Sequence, residues 1–442
     1  MKLRARRVLL ALAWLAAALA AGRIASMAWH HFDRQERADG NRGHATIDFG
    51  GSWTMGRMLV EGRGSELYER EALREVLEAS YGKEDAAKLL SWFMPGGTRD
   101  GRAITGPLYP PINAFVTAPL SLLPPQTAYR VHQIADLLLL VLTALGVTVL
   151  SSGRIWLPVA VLLIALFPGF QGNVALGQNS VLSLAVLVWG WVLMARSRDT
   201  GGGALWGLLA YKPVWAASFF LVLPLARRWR AAVAMGAVGA AQIALTLPFV
   251  GVHSWLDWLA IGRQAAARYG LDRRWIELSR DLAGIPRRFL LDFTVPMHRR
   301  GDPAADMAAL ALWLGVLAVT VAVALRHRGR MRAVAGPPAA FLLLGGWLLC
   351  YHFMYYDALL AFLPVILLFT EPGVPPRERL APALALAALF FIENPLRYLG
   401  YGDEGQPWST YVLLLLWAWC GWKTARPTAC TSRGARGSSP AR

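Results

Sequence analysis

Cysteine is scarce in this sequence. Three thiols in 442 residues, Cys350, Cys420 and Cys430, are too few and too scattered for a disulfide framework, and no Cys-x-x-Cys pair offers a redox or metal centre. Charge is scarce as well, at 17% of residues, with 28 Asp and Glu against 45 Lys and Arg. The chain has no Walker A loop, no His-Glu-x-x-His, no Gly-x-Ser-x-Gly and, within residues 30–109, no Asp-x-Asp-type acidic pair. These absences argue against P-loop nucleotide hydrolysis, zinc-peptidase and serine-hydrolase chemistry, and a divalent metal holding a nucleotide sugar. No internal repeat is visible.

What is abundant is apolar sequence. At 55% hydrophobic residues the chain is too apolar and too long for one water-soluble core, and a membrane solvent explains it. The net charge of +17 would suggest nucleic acid in a soluble protein, but the Lys and Arg residues sit in short segments between apolar runs, the arrangement that orients membrane helices. No nucleic-acid partner is therefore expected. Nineteen Trp and twelve Tyr suit two water–lipid interfaces and are equally at home in a core.

A crossing helix needs ~20 mostly apolar residues. Candidates are 8–29, 126–150, 155–171, 179–195, 231–251, 304–325, 336–351, 353–370, 380–395 and 408–423. The expectation is an all-α, polytopic transmembrane bundle of about ten spans with re-entrant or short helices, forming one membrane-embedded domain over 1–423. The first run has the charge pattern of a signal peptide, but it is long enough to span and is expected to be retained.

Lys2, Arg4, Arg6 and Arg7 place the N-terminus in the cytoplasm, and Arg154, Arg196, Arg198, Arg227, Arg228 and Arg230 fall on the same side. On that scheme 30–109 is a first external loop, and 110–124 is interfacial or re-entrant. The stretch 203–226, interrupted at Lys212-Pro213, enters and leaves from the cytoplasmic side as a broken hairpin. Residues 252–303 form a second external loop, basic enough to hold phosphate, and 424–442 form a disordered cytoplasmic tail. Within the first loop, Leu67, Leu73, Val76 and Leu77, then Ala86, Leu89, Leu90 and Phe93, recur at helical spacing, predicting short amphipathic helices at the interface.

Few polar residues interrupt the apolar pattern. Asp48, in Thr46-Ile-Asp-Phe-Gly-Gly-Ser52, is either a helix cap or solvated acid, or an acid placed against the membrane face within reach of a lipid-linked substrate. Tyr109-Pro110-Pro111 opens a short rigid element. Gln178 and Asn179 bring two carboxamides to a membrane boundary, where they cap the next helix or bind sugar hydroxyls. His352 and Asp357 flank the external end of a span; on one helix they would lie ~140° apart and reach different partners. Lys212 is ionisable in an apolar run, a functional candidate by burial cost or a residue snorkelling to headgroups. Its cytoplasmic assignment marks it as structural or lipid-contacting.

Taken in order, Asp48-Phe-Gly-Gly51, Tyr109-Pro110-Pro111, Gly177-Gln178-Asn179, Lys212-Pro213 with Arg227-Arg228-Trp229-Arg230, and His352 resemble glycosyltransferase family 87. That family belongs to the GT-C superfamily and includes polyprenol-phosphate-mannose-dependent alpha-mannosyltransferases. The resemblance implies a GT-C-like membrane enzyme moving a hexose, mannose in the first instance, from a polyprenyl-phosphate donor to a lipid or glycan acceptor. Transfer would invert the anomeric centre on the non-cytoplasmic face, with Asp48 as general base and Tyr109, Gln178, Asn179, His352 and Asp357 binding substrate. It implies no cofactor, no metal, and a bacterial-type inner membrane location with both termini cytoplasmic. A transporter or flippase for a lipid-linked or anionic substrate is the competing expectation, since broken helices and buried ionisable residues serve that class too.

Overall fold

The computed structural model describes residues 2–33, 48–372, 374–392 and 406–426, which are predominantly helical. The first apolar run is α1 (Lys2–Asp33), whose Ala17 and Ile24 are buried in the main core. Helix α2 (Asp48–Val60) follows, then the amphipathic α3 (Arg70–Tyr81) and α4 (Lys83–Trp92). Leu73, Val76 and Leu77 of α3 and Ala86, Leu89 and Leu90 of α4 are buried, closing on Tyr68, Ile104 and Ile261 in a second, smaller core.

An antiparallel hairpin, β1 (Met94–Arg99) and β2 (Arg102–Gly106), comes next, a departure from the purely helical expectation. Its signal in the sequence is Asp100-Gly101. Both residues have positive φ, 51° and 78°, the two-residue turn whose twist matches that of paired strands.

The proline-bounded element is α5 (Ile112–Ser121), which lies along α2. Thr117 Oγ1 donates to Ser52 O at 2.8 Å, and a Cβ at Gly56 would come within 2.8 Å of the Thr117 carbonyl carbon. The small residues of α2 thus let two backbones touch. Helix α6 (Pro125–Leu150) is followed by α7 (Leu157–Leu166) and α8 (Phe170–Leu176), bent by 72°. The crossing expected over 155–171 is a bent pair of helices, with Pro168 and Gly169 at the break. Helix α9 (Ser180–Ala195) then runs through the main core.

The broken hairpin consists of α10 (Asp199–Gly207), a 3-10 turn over Leu208–Tyr211, and α11 (Pro213–Leu225). Its stems meet where Arg228 donates to Asp199 at 2.5 Å, and Lys212 is at its tip. Helix α12 (Trp229–Tyr269) kinks at Gly251, with φ 69° and ψ 166°. Residues 252–269 are therefore helix rather than loop, with Ile261 and Ala265 buried one helical turn apart. The remainder of the expected second loop contains α13 (Arg273–Leu278) and α14 (Gly284–Leu290).

The chain finishes with α15 (Pro303–Arg326), α16 (Gly336–Leu348), a 3-10 segment Tyr355–Ala361 running into α17 (Phe362–Thr370), α18 (Leu380–Ile392) and α19 (Trp408–Ala425). Residues 424 and 425 continue α19, and the tail beyond 426, with Cys430, lies outside the described residues.

Four of these helices, those containing Arg4–Met27, Pro125–Leu150, Trp229–Tyr269 and Pro303–Arg326, are long and apolar enough to cross a membrane, and the bent α7–α8 pair makes five. The expectation of ten counted apolar segments such as α9, α16 and Tyr355–Thr370, which have 10–17 residues and fall short of a full crossing on length. Trp191, Trp206, Trp215 and Trp347 are fully buried, so these indoles pack the core and do not form an interfacial belt.

Candidate functional site

A cavity of about 330 Å³, within the size range of ligand sites, opens where the two cores meet. Its wall brings together Asp48, Tyr109, Gln178, His352 and Asp357. Four separate parts of the chain supply them, so no local pattern predicts their meeting.

Asp48 starts α2, and Gln178 Nε2 donates to its Oδ2. Gln178 reaches it because Gly177 turns the chain sharply between α8 and α9. Gly177 has φ +65°, and a Cβ there would meet Phe49 Cβ at 2.6 Å, so both backbone and packing demand glycine. Asn179 is buried next to Gln178 but does not line the cavity; its Nδ2 donates to Asn113 Oδ1 at 3.3 Å. The cap of α9 comes from Asn173, whose Oδ1 accepts from Ser180 N at 2.7 Å.

Lys212 is the principal correction. It is neither lipid-facing nor remote from the cavity: it is 8% exposed, lines the wall and pairs with Asp357 Oδ1 at 2.8 Å. The same carboxylate oxygen accepts from Ser180 Oγ at 2.5 Å. The hairpin assignment from loop charges placed its ends but not its depth. Nine residues of α10 plus four of the 3-10 turn carry the tip roughly 20 Å from the basic loops, enough to reach this level.

His352 stands in the irregular stretch between α16 and the 3-10 segment, so it shares no helix with Asp357. Its Nδ1 is 3.1 Å from Asp281 Oδ2, and its ring stacks on Tyr269 with centroids 4.7 Å apart. Asp281 is held in turn by Gly284 N at 2.7 Å.

Of the basic residues in 252–303, Arg287 lines the cavity, with Asp306 2.9 Å from its guanidinium. Others serve the backbone: Arg288 donates to Ile276 O and to Ser279 O at 2.8 Å, and Arg300 donates to Leu271 O at 2.6 Å. Burial and the like charge of Arg280 push Arg288 down to about 10. Much of the basicity that looked available for phosphate is thus structural.

The remaining wall is aromatic, with Trp92, Trp215, Trp258 and Trp275 among its residues, beside the small Gly262, Ala265 and Ala266 of α12. Indole faces suit both sugar C–H groups and prenyl chains. Burial and then the nearby Asp48 charge push the Tyr109 hydroxyl well above its ordinary value, keeping it a neutral hydrogen-bonding group. Beneath the wall Asp136 accepts from Asn173 Nδ2 at 2.9 Å, joining α6 to the α9 cap. An acid in the middle of an apolar span was a signal that sequence reading passed over.

Apolar spanning helices around a cavity of opposed charges and indoles define an integral membrane protein with a built ligand site. Residues 108–351 match glycosyltransferase family 87, more than half of the chain, so the protein belongs to that family and is a membrane glycosyltransferase. Asp48, His352 and Asp357 fall outside the matched segment, whereas Tyr109, Gln178 and Lys212 fall within it. No curated protein and no solved structure matches the chain.

Proposed function

We propose that the enzyme transfers a hexose, mannose in the first instance, from a polyprenyl-phosphate donor to a hydroxyl of a lipid or glycan acceptor on the non-cytoplasmic face of the plasma membrane. The observation that carries this reading is the placing of Asp48 on the same cavity wall as Lys212, Arg287 and His352, with indoles between. A base for an acceptor and cations for a phosphate then share one water-poor chamber.

In this mechanism Asp48 takes the proton of the acceptor hydroxyl as that oxygen attacks the anomeric carbon, and Gln178 fixes the carboxylate by its hydrogen bond. The bond from the anomeric carbon to the phosphate oxygen breaks on the opposite face, its electron pair leaves with the lipid phosphate, and the configuration inverts. Lys212 has three donors, directed in this structure to Asp357 and, at 3.5 Å, to Ser180 Oγ, and Arg287 and His352 add others, so the developing phosphate charge is met by side chains without a resident metal. Tyr109 and the tryptophans position the sugar, and the small face of α12 accommodates the start of the prenyl chain.

The test is transfer from radiolabelled polyprenyl-phosphate sugars in membranes containing wild type or Asp48→Asn. Transfer by wild type and a loss of ~10²-fold or more in the variant are expected. Equal transfer by both would remove Asp48 from the base role, and silence with every such donor would remove the donor class.

A further inference from the structure

A second cavity, of about 930 Å³, lies where the stems of the broken hairpin meet α9 and α12. Its wall carries Arg198, Arg227, Arg228, Arg230 and Arg332 against the single carboxylate of Asp199. The sixteen residues of α9 run from Ser180, beside Asp357, to Ala195 at this cup, so the two cavities are about 24 Å apart along the helix. The cup is thus at the opposite end of α9 from the catalytic cavity, among the basic residues that flank the apolar helices.

Loop arginines that merely orient a membrane protein point into water. Arg228 is different, at 4% exposure. Its Nη1 donates to Met194 O at 3.1 Å and Asp199 Oδ1 at 2.5 Å, its Nη2 donates to Arg332 O at 3.2 Å, and its buried Nε has no hydrogen-bond partner among the described residues. Arg198, Arg227, Arg230 and Arg332 stand exposed around it, and Trp229, 62% exposed, stands among the lining residues. Five guanidinium groups around a cavity with one carboxylate form an anion site, and their planar forks match phosphate oxygens in pairs.

We propose that this cup binds a phosphate group, supplied by the headgroup of an anionic phospholipid or by a soluble phosphate. The indole on its wall and its rim of exposed arginines fit a lipid headgroup entering from the membrane surface. Occupancy has a consequence for the catalytic cavity. A phosphate held between Arg198, at the start of α10, and Arg230, just after α11, ties together the two stems whose tip is Lys212, and so steadies the Lys212–Asp357 pair.

The test uses the full chain in neutral detergent and follows the apparent thermal unfolding midpoint, a readout independent of the donor assignment. Phosphatidylglycerol, phosphatidylcholine, inorganic phosphate and pyrophosphate are added separately to wild type, to Arg198→Gln/Arg230→Gln, and to Arg326→Gln/Arg328→Gln, which removes charge outside the cup. Phosphatidylglycerol is expected to raise the wild-type midpoint by ~2 °C or more over phosphatidylcholine. The first double variant should lose at least half of that rise and the second should keep it. Should the first fail to fold, Arg198→Gln alone, at an exposed position, should show a partial loss. An equal rise with millimolar pyrophosphate, lost in the cup variant, supports the site with a soluble phosphate as its source. No rise with any phosphate compound, or a rise unchanged by the cup substitutions, overturns the proposal.

Discussion

Lys212 and Asp357 are 145 positions apart in sequence and 2.8 Å apart in space, and their ion pair joins the tip of a broken hairpin to the 3-10 segment Tyr355–Ala361. Both are buried, so each charge depends on the other for compensation. Removing one partner leaves an uncompensated charge, which costs about 3–5 kcal/mol, whereas removing both costs much less. Lys212→Met and Asp357→Asn are each expected to lower the unfolding midpoint sharply, and the double variant should recover part of the loss. A double-mutant cycle on detergent-purified protein checks this; additive losses would contradict it.

Gln178 and Asp48 differ in what they are expected to contribute. Asp48→Asn should lower transfer by ~10²-fold or more while changing the stability by no more than about 1 kcal/mol, since the isosteric amide preserves packing. Gln178→Ala removes one hydrogen bond to the carboxylate and should lower kcat by ~10-fold, with little change in KM for the donor. Steady-state kinetics on the two variants separate a proton acceptor from the group that positions it.

Asp281 acts on the cavity through His352. Asp281→Asn should weaken the orientation of the imidazole, shifting KM for the donor more than kcat, and His352→Gln should do the same more strongly if His352 meets the ground-state phosphate. A selective fall in kcat would instead make the His352 contact specific to the transition state.

Gly177 has no tolerated replacement. Alanine there combines a left-handed backbone with a Cβ 2.6 Å from Phe49, and displacing Phe49 moves Asp48 with it. Gly177→Ala is expected to cost about 1–3 kcal/mol and to reduce transfer together with stability, which thermal unfolding and activity measured on the same preparation would show.

Alkaline pH tests the buried tyrosine beside the cavity. Tyr68 is fully buried and donates to Tyr109 O at 2.6 Å. Burial, then the Asp257 charge, raises its hydroxyl well above the ordinary value of 10. A group whose folded value is raised contributes fully below the unfolded value and loses that contribution as pH climbs towards the folded one, because the unfolded chain ionises first. Wild type should therefore lose stability above about pH 10, and Tyr68→Phe, though less stable at pH 7 by about 1 kcal/mol, should decline less steeply between pH 9 and 11.

The amino-acid pattern alone determined the solvent and the class of element. Long apolar runs exclude a water-soluble core, the Leu73, Val76 and Leu77 spacing makes a one-sided helix, and Lys212-Pro213 forces a break; each of these acts within one contiguous stretch of chain. The order of weak motifs was sufficient to mark the glycosyltransferase family, which the match over 108–351 shows. Depth and partnership were decided by tertiary structure. How far the hairpin tip reaches, which of Gln178 and Asn179 faces the cavity, and that His352 takes Asp281 while Asp357 takes Lys212 depend on distances between segments tens to hundreds of residues apart. Loop charges report on which side a segment begins and ends, but a buried charge is positioned by the one partner that offsets its desolvation, and that partner is settled only when the helices pack.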